Sequence, residues 1–239
     1  MTPSVEQLAA LPAFTLFPPE QLAQLAPRFA LRSQPMGEPL LLADGLPASL
    51  FLLQSGELRQ LVQHPSQPGR SLTLALHPPP FIAGWASLLA GQPLEFLTAA
   101  SDCTLLAISA ADWQQLLQQH PPLALYAQQL LSAADLWPLL SPSQPAQLTL
   151  PTSSKELRPW LRRLAGEAQV RLIAPGQPSG APLNPALRWL VAGSGQPLPY
   201  GATLPIEQIP ALQAQLQQPL RLIGLPQVLW GPTPSAAAA

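Results

Sequence analysis

Hydrophobic positions change their spacing twice along this chain. Over residues 4–11 and 19–27 leucines recur at helical intervals, Leu8 and Leu11 and then Leu22 and Leu25, which predicts two short amphipathic helices. Ser4 suits an N-cap, and Pro18-Pro19 suits a first helical turn. From 28 to 108 the period shortens. Runs rich in Leu, Val, Phe and Ile (FALRS, EPLLLA, SLFLLQ, ELRQLVQ, RSLTLALH, FLTAA, CTLLAIS) are cut by Gly, Pro, Asp and Ser. That pattern predicts a β-sandwich or barrel. HPSQPGR at 64–70 predicts a hairpin loop with Gly69 at positive φ, and residues 85–90 a single helical turn. Helical spacing then returns. Trp113, Leu116 and Leu117 share a face of a helix over 110–120; Leu123, Leu130 and Leu131 share a face of a second over 122–137, bounded by Pro122 and Pro138.

The first domain is therefore expected over 1–140. SPSQPAQLTLPTSS at 141–154 reads as a linker. Residues 155–230 read as a small α+β domain: KELRPWLRRLAGE is helical, while VRLIAPGQ, ALRWLVAGSG and LRLIGLP are strands. The interval from Gly37 to Gly56 equals that from Gly176 to Gly195, which suggests a decayed half-repeat of the barrel. An unrelated small α+β domain is the alternative. GPTPSAAAA at 231–239 has no core-forming pattern and is expected to be disordered.

Composition narrows the function classes. Hydrophobic residues make up 47% of the 239, enough for real cores, while charged residues make up only 10%, against a usual quarter. The formal charge of −1 supplies no electrostatic drive toward nucleic acid or an anionic membrane surface. So sparse a surface charge predicts modest solubility, or surfaces covered by a partner. The only cysteine, Cys103, excludes an intrachain disulfide and fits a reducing, cytoplasmic setting. The N-terminus lacks a basic n-region, and no uninterrupted apolar run is long enough to span a bilayer.

The chemistry concentrates in FIAGWASLLAGQPLEFLTAASDC, residues 81–103. Phe81, Gly84, Leu88, Leu89, Gly91 and Pro93 resemble the frame of the phosphate-binding cassette of the cyclic-nucleotide-binding-like (Crp-like) domain family. The resemblance runs from about residue 15 to 132, through the Pro-Pro-Glu helix, Gly37-Glu38, Asp44-Gly45 and Ser55-Gly56. It implies a mainly β fold with flanking helices: a Crp-like double-stranded β-helix (jelly-roll) barrel closed by a C-terminal helix pair. It also implies a Glu after the cassette glycine, for a ribose, and an Arg after the proline, for a cyclic phosphate. Here Trp85 stands in the first slot and Leu94, followed by Glu95, in the second. Backbone N–H groups over Gly84 to Ser87 remain for an anion, and Ser87 adds a hydroxyl. Leu94 donates nothing from its side chain, and Glu95 repels a phosphate. An Arg–phosphate pair carries several kcal/mol, on the order of a thousandfold in affinity. cAMP and cGMP are therefore not the expected ligands, and no cofactor is expected. Trp85 and Phe96 either fill the vacated pocket or stack on a different ligand, with Glu95 and Thr98 offering it polar contacts.

Other candidates resolve to structure. His64, His77 and His120 stand apart beside prolines and read as loop residues, and no metal-ligand spacing occurs. Cys103 reads as a core residue because no His is placed to activate it. Nucleotide-loop, zinc-protease and serine-hydrolase motifs are absent, so no catalytic residue is expected. Arg158, Arg162 and Arg163 read as a solvated helix face, with an anion or partner patch as the alternative. The residues after the barrel show no paired helices with a tight Gly turn, so DNA binding is not expected. GWASLLAGQP, with Trp after Gly, resembles the N-terminal domains that precede cyanobacterial peptidase-containing ABC exporters. That resemblance implies a non-catalytic regulatory or docking domain whose partner is another protein or domain, such as a membrane transporter met at the inner membrane. A small-ligand sensor of altered specificity and a Crp-like transcription regulator are the alternatives.

Overall fold

The computed structural model describes residues 2–42, 44–64, 67, 69–140, 151, 153–176, 182–193 and 198–230. Most of the expected linker (141–150 and 152), Gly195 and the tail 231–239 lie outside the described residues. The chain divides into two compact units, Met1–Leu130 and Leu131–Ala239.

The first unit opens with α1 (Val5–Ala9) and α2 (Pro19–Leu25). Ser4 caps α1 in a capping box with Gln7, and Pro19 takes the first position of α2, as the sequence signals require. Eight strands follow: β1 (Ala30–Gln34), β2 (Pro39–Leu41), β3 (Ser49–Ser55), β4 (Leu58–Gln63), β5 (Ser71–His77), β6 (Phe81–Ala83), β7 (Phe96–Ala99) and β8 (Cys103–Ser109). They form two antiparallel four-stranded sheets, ordered β1-β8-β3-β6 and β2-β7-β4-β5. This is the β-sandwich or barrel that the period-two runs predict, in the mainly β, jelly-roll-like form that the resemblance implies.

Alternation along β3 and β8 separates two cores. Phe51, Leu53, Leu105 and Ala107 join Leu58, Leu97 and Ala99 in one cluster. Leu50, Leu52, Leu106 and Ile108 join the other, with residues of α1, α2, α4 (Ala110–Gln119) and α5 (Pro121–Gln129). Gly56, at φ 89°, lies against the backbone of Asp102 and Cys103 so closely that a Cβ there would clash. The β3–β4 turn therefore requires glycine.

The expected helix over 122–137 is two helices. α5 stops at Gln129, and α6 (Ala133–Leu140) starts after Ser132, whose backbone N–H and hydroxyl both donate to Asp135 Oδ2 at 2.9 and 3.0 Å. Pro138 lies inside α6 and does not bound it. α6 belongs to the second unit, ten residues ahead of the expected domain boundary, because Asp135 is paired there. Its Oδ1 lies 3.0 Å from Arg221 Nη1, with both side chains at most 4% exposed.

In the second unit α7 (Ser154–Glu167) begins inside the stretch expected to be a linker, capped by Ser153. β9 (Gln169–Ile173), β10 (Leu187–Val191) and β11 (Leu220–Pro226) form an antiparallel sheet ordered β10-β11-β9, with α8 (Ile209–Gln213) before β11. β11 is central and almost wholly buried. Gly224 gives Trp189 its space: a Cβ there would lie 2.9 Å from the indole ring. Two earlier strands flank a later antiparallel one, as β1 and β3 flank β8. Gly176 has the expected positive φ of 64°.

Candidate functional site

The cassette is built by two left-handed glycines around one short helix. β6 ends at Ala83, Gly84 turns the chain at φ 89°, and α3 (Trp85–Ala90) follows. Gly91 ends it at φ 68°, donating to the carbonyls of Ser87 and Leu88, a glycine C-cap. Gly84 also packs tightly: a Cβ would lie 3.3 Å from Pro47 and from the carbonyl oxygen of Ser49.

Glu95 folds back into this turn. Its side chain is buried, at 3% exposure. Oε1 accepts from the Gly84 backbone N–H at 3.0 Å; Oε2 accepts from the Ser87 N–H and the Ser87 hydroxyl, each at 3.0 Å. Ser87 Oγ in turn accepts from the N–H groups of Leu94 and Glu95 at 3.1 Å. Of the backbone donors expected over Gly84 to Ser87, those of Gly84 and Ser87 are bonded to the chain's own carboxylate. Glu95 is thus not a free charge facing the cassette: its carboxylate is bonded to Gly84 and Ser87.

The remaining cassette residues separate. Trp85 is 7% exposed, and its partners are in the helical layer. Its indole N–H donates to the Ala127 carbonyl of α5 at 2.7 Å, and its ring meets Trp113 edge-on at 6.0 Å. Leu94 is half-buried and contributes only its backbone N–H. Thr98 and Phe96 alternate with the buried Leu97 and Ala99 on β7, so they lie on the opposite face of the strand from those core residues. The structure brings together Gly84, Ser87, Leu94 and Glu95, and leaves Thr98 apart.

A second polar group was not anticipated. Gln60 is 1% exposed, and its Oε1 lies 2.9 Å from His77 Nε2. His77 stacks on Phe81 at 3.9 Å between centroids. His77 is therefore a strand residue, not the loop residue its neighbouring prolines implied. Burial holds its imidazole down at about 4, so it is neutral at pH 7. Gln60 Nε2 has no hydrogen-bond partner among the described residues, and leaving such a donor buried costs about 1–3 kcal/mol. The signal was legible as alternation in ELRQLVQ, where Gln60 falls in step with the inward Leu58. Cys103 is a buried core residue at 3% exposure, and burial pushes its thiol up. His64 is also buried, and His120 caps α4 with its ring edge-on to Phe17. Among the described residues no three His, Cys, Asp or Glu side chains gather as metal ligands.

The family described as "Cyclic nucleotide-binding domain" matches residues 31–120. No curated protein matches the sequence. Among solved structures, the catabolite activator protein of Thermus thermophilus is similar at 30% identity, with 48% of this chain, 54% of that one and a TM-score of 0.42. The chain thus spans about half the length of that protein. The N-terminal domain of a transcriptional regulator from Streptomyces coelicolor is similar at 27% identity, covering 51% of this chain and 86% of that one, with a TM-score of 0.42. A putative cyclic nucleotide-binding protein of Geobacter metallireducens is similar at 21% identity, covering 52% and 89%, with a TM-score of 0.44. Residues 31–120, which include the whole cassette, are thus similar to a cyclic nucleotide-binding domain.

Proposed function

We propose that the first unit is a non-catalytic regulatory or docking domain that does not respond to cyclic nucleotides, because its anion cassette is closed from within. The observation that carries this is the Glu95 carboxylate on the donors of Gly84 and Ser87. An incoming phosphate would have to break three hydrogen bonds to a charged group, each worth about 1.5–3 kcal/mol. If Glu95 stayed nearby, two like charges about 4 Å apart would repel by about 4 kcal/mol at a protein surface. The slot after Pro93 offers the leucine side chain of Leu94 in place of a cation.

The partner in this reading is a protein. GWASLLAGQP resembles the cassettes of domains that precede peptidase-containing exporters, so a membrane transporter is the proposed partner, met from the cytoplasmic side. Among the described residues no helix is long and apolar enough to cross a membrane, so membrane contact through this region runs through that partner. The second unit supports a protein partner over DNA: its described residues build a three-stranded antiparallel sheet with helices, not two helices joined by a tight turn.

Thermal shift against cAMP and cGMP tests the closed cassette, since a ligand that binds the native state raises its melting temperature by mass action. The expected result is no shift at millimolar nucleotide. A concentration-dependent rise would overturn the proposal.

A further inference from the structure

Glu95 and Trp85 act on the same four-residue stretch, Gly84 to Ser87. Glu95 takes the N–H of Gly84 and the N–H of Ser87. Trp85 lies between those amides, so its backbone is pinned on either side. Its indole N–H reaches the Ala127 carbonyl at 2.7 Å, in the last turn of α5. Carbonyls at a helix end lack intrahelical partners; this one accepts from Leu130 N–H at 3.2 Å and from Trp85. α5 ends at Gln129, and the first unit ends at Leu130.

We infer that Glu95 is a built-in ligand: it holds the start of α3 in place, and through Trp85 it fixes the last turn of α5, where the chain leaves the first unit. This rests on the reading that the cassette is closed from within, and it names the regulation of that site. Whatever lifts Glu95 from its seat also releases the end of α5. Burial supports the coupling: Trp85 packs with Trp113, Leu123 and Ala127 in one cluster, so the indole moves only if that layer opens.

Hydrogen–deuterium exchange on the full chain tests this, comparing wild type with Glu95→Ala, Glu95→Gln and Trp85→Phe. In Glu95→Ala, amides of residues 87–91 and 125–130 both exchange faster, by about tenfold or more, while β8 amides keep wild-type protection. Millimolar sulfate refills the vacated donors and slows both regions again. Trp85→Phe speeds 125–130 and spares 87–91. Glu95→Gln keeps the side-chain volume, folds if the alanine variant does not, and gives the same pattern at smaller amplitude. Faster exchange confined to 87–91 in the Glu95 variants, or unchanged exchange in both regions, overturns the inference. Binding of cAMP by the wild type would sink the closed-cassette proposal and leave this exchange pattern as it stands, so the two fail separately.

Discussion

Among the described residues each unit buries one carboxylate, and the two are held by different means. Glu95 rests on backbone N–H groups and a hydroxyl from residues 8 and 11 positions away. Asp135 rests on a guanidinium 86 residues away and on Ser132, while its backbone carbonyl accepts from Tyr200 at 3.0 Å. Burial, with the Asp135 charge second, pushes the Tyr200 phenol up, so it stays a neutral donor. The first arrangement is local and made of dipoles. The second is long-range and made of opposite charges, and it ties α6 to β11. A carboxylate on dipoles can be replaced by another anion without unbalancing charge. One paired with a buried arginine cannot leave without stranding a cation.

Breaking the second arrangement should have the largest effect. Asp135→Ala leaves Arg221 buried and uncompensated, which predicts a loss of about 3–5 kcal/mol from the second unit in urea denaturation. Replacing Asp135 and Arg221 together with Leu and Met should recover most of that loss. A double variant as unstable as the single one would show that packing, not charge, holds α6.

Glu95→Ala should cost less, about 2–4 kcal/mol from the first unit, because it strands neutral donors only. Millimolar sulfate or phosphate should restore part of that loss in Glu95→Ala and do nothing in Asp135→Ala. Equal rescue of both variants would reduce the contrast to a general salt effect.

The smallest effect concerns pH. His77 has a folded-state value of about 4 against an ordinary 6.5. A base whose value is depressed on folding binds more protons when unfolded. The stability linked to its neutral form is complete above 6.5 and falls as pH drops toward 4. Denaturant midpoints of His77→Phe at pH 7, 5.5 and 4 should fall less steeply than those of the wild type. Parallel curves would remove His77 from the account.

Much of this was legible from spacing. Gly84 and Gly91 bracket α3 because each needs a positive φ, and Ser4 caps α1 because its hydroxyl reaches the Gln7 N–H. The alternation in SLFLLQ and CTLLAIS anticipated the two faces of β3 and β8. What escaped depended on where a side chain turns. Cassette position alone put Trp85 in the vacated pocket or on a ligand, yet its indole reaches a carbonyl in the last turn of α5. Glu95 was read as a repulsive charge because a sequence does not show that it folds back onto Gly84. The split at Leu130 was hidden because apolar residues continue through it and the cap, Ser132 with Asp135, lies inside an otherwise helical run. His77 beside three prolines looked like a loop residue, while its pairing with Leu58 made it the last residue of β5.

The central claim is that Glu95 occupies the seat of an external anion. Calorimetric titration of the full chain with cAMP tests it most directly, run on the wild type and on the double variant Leu94→Arg with Glu95→Ser. The account predicts no heat of binding for the wild type at millimolar nucleotide and saturable binding for the double variant, in which the seat is emptied and a cation supplied. Saturable micromolar binding by the wild type would contradict it.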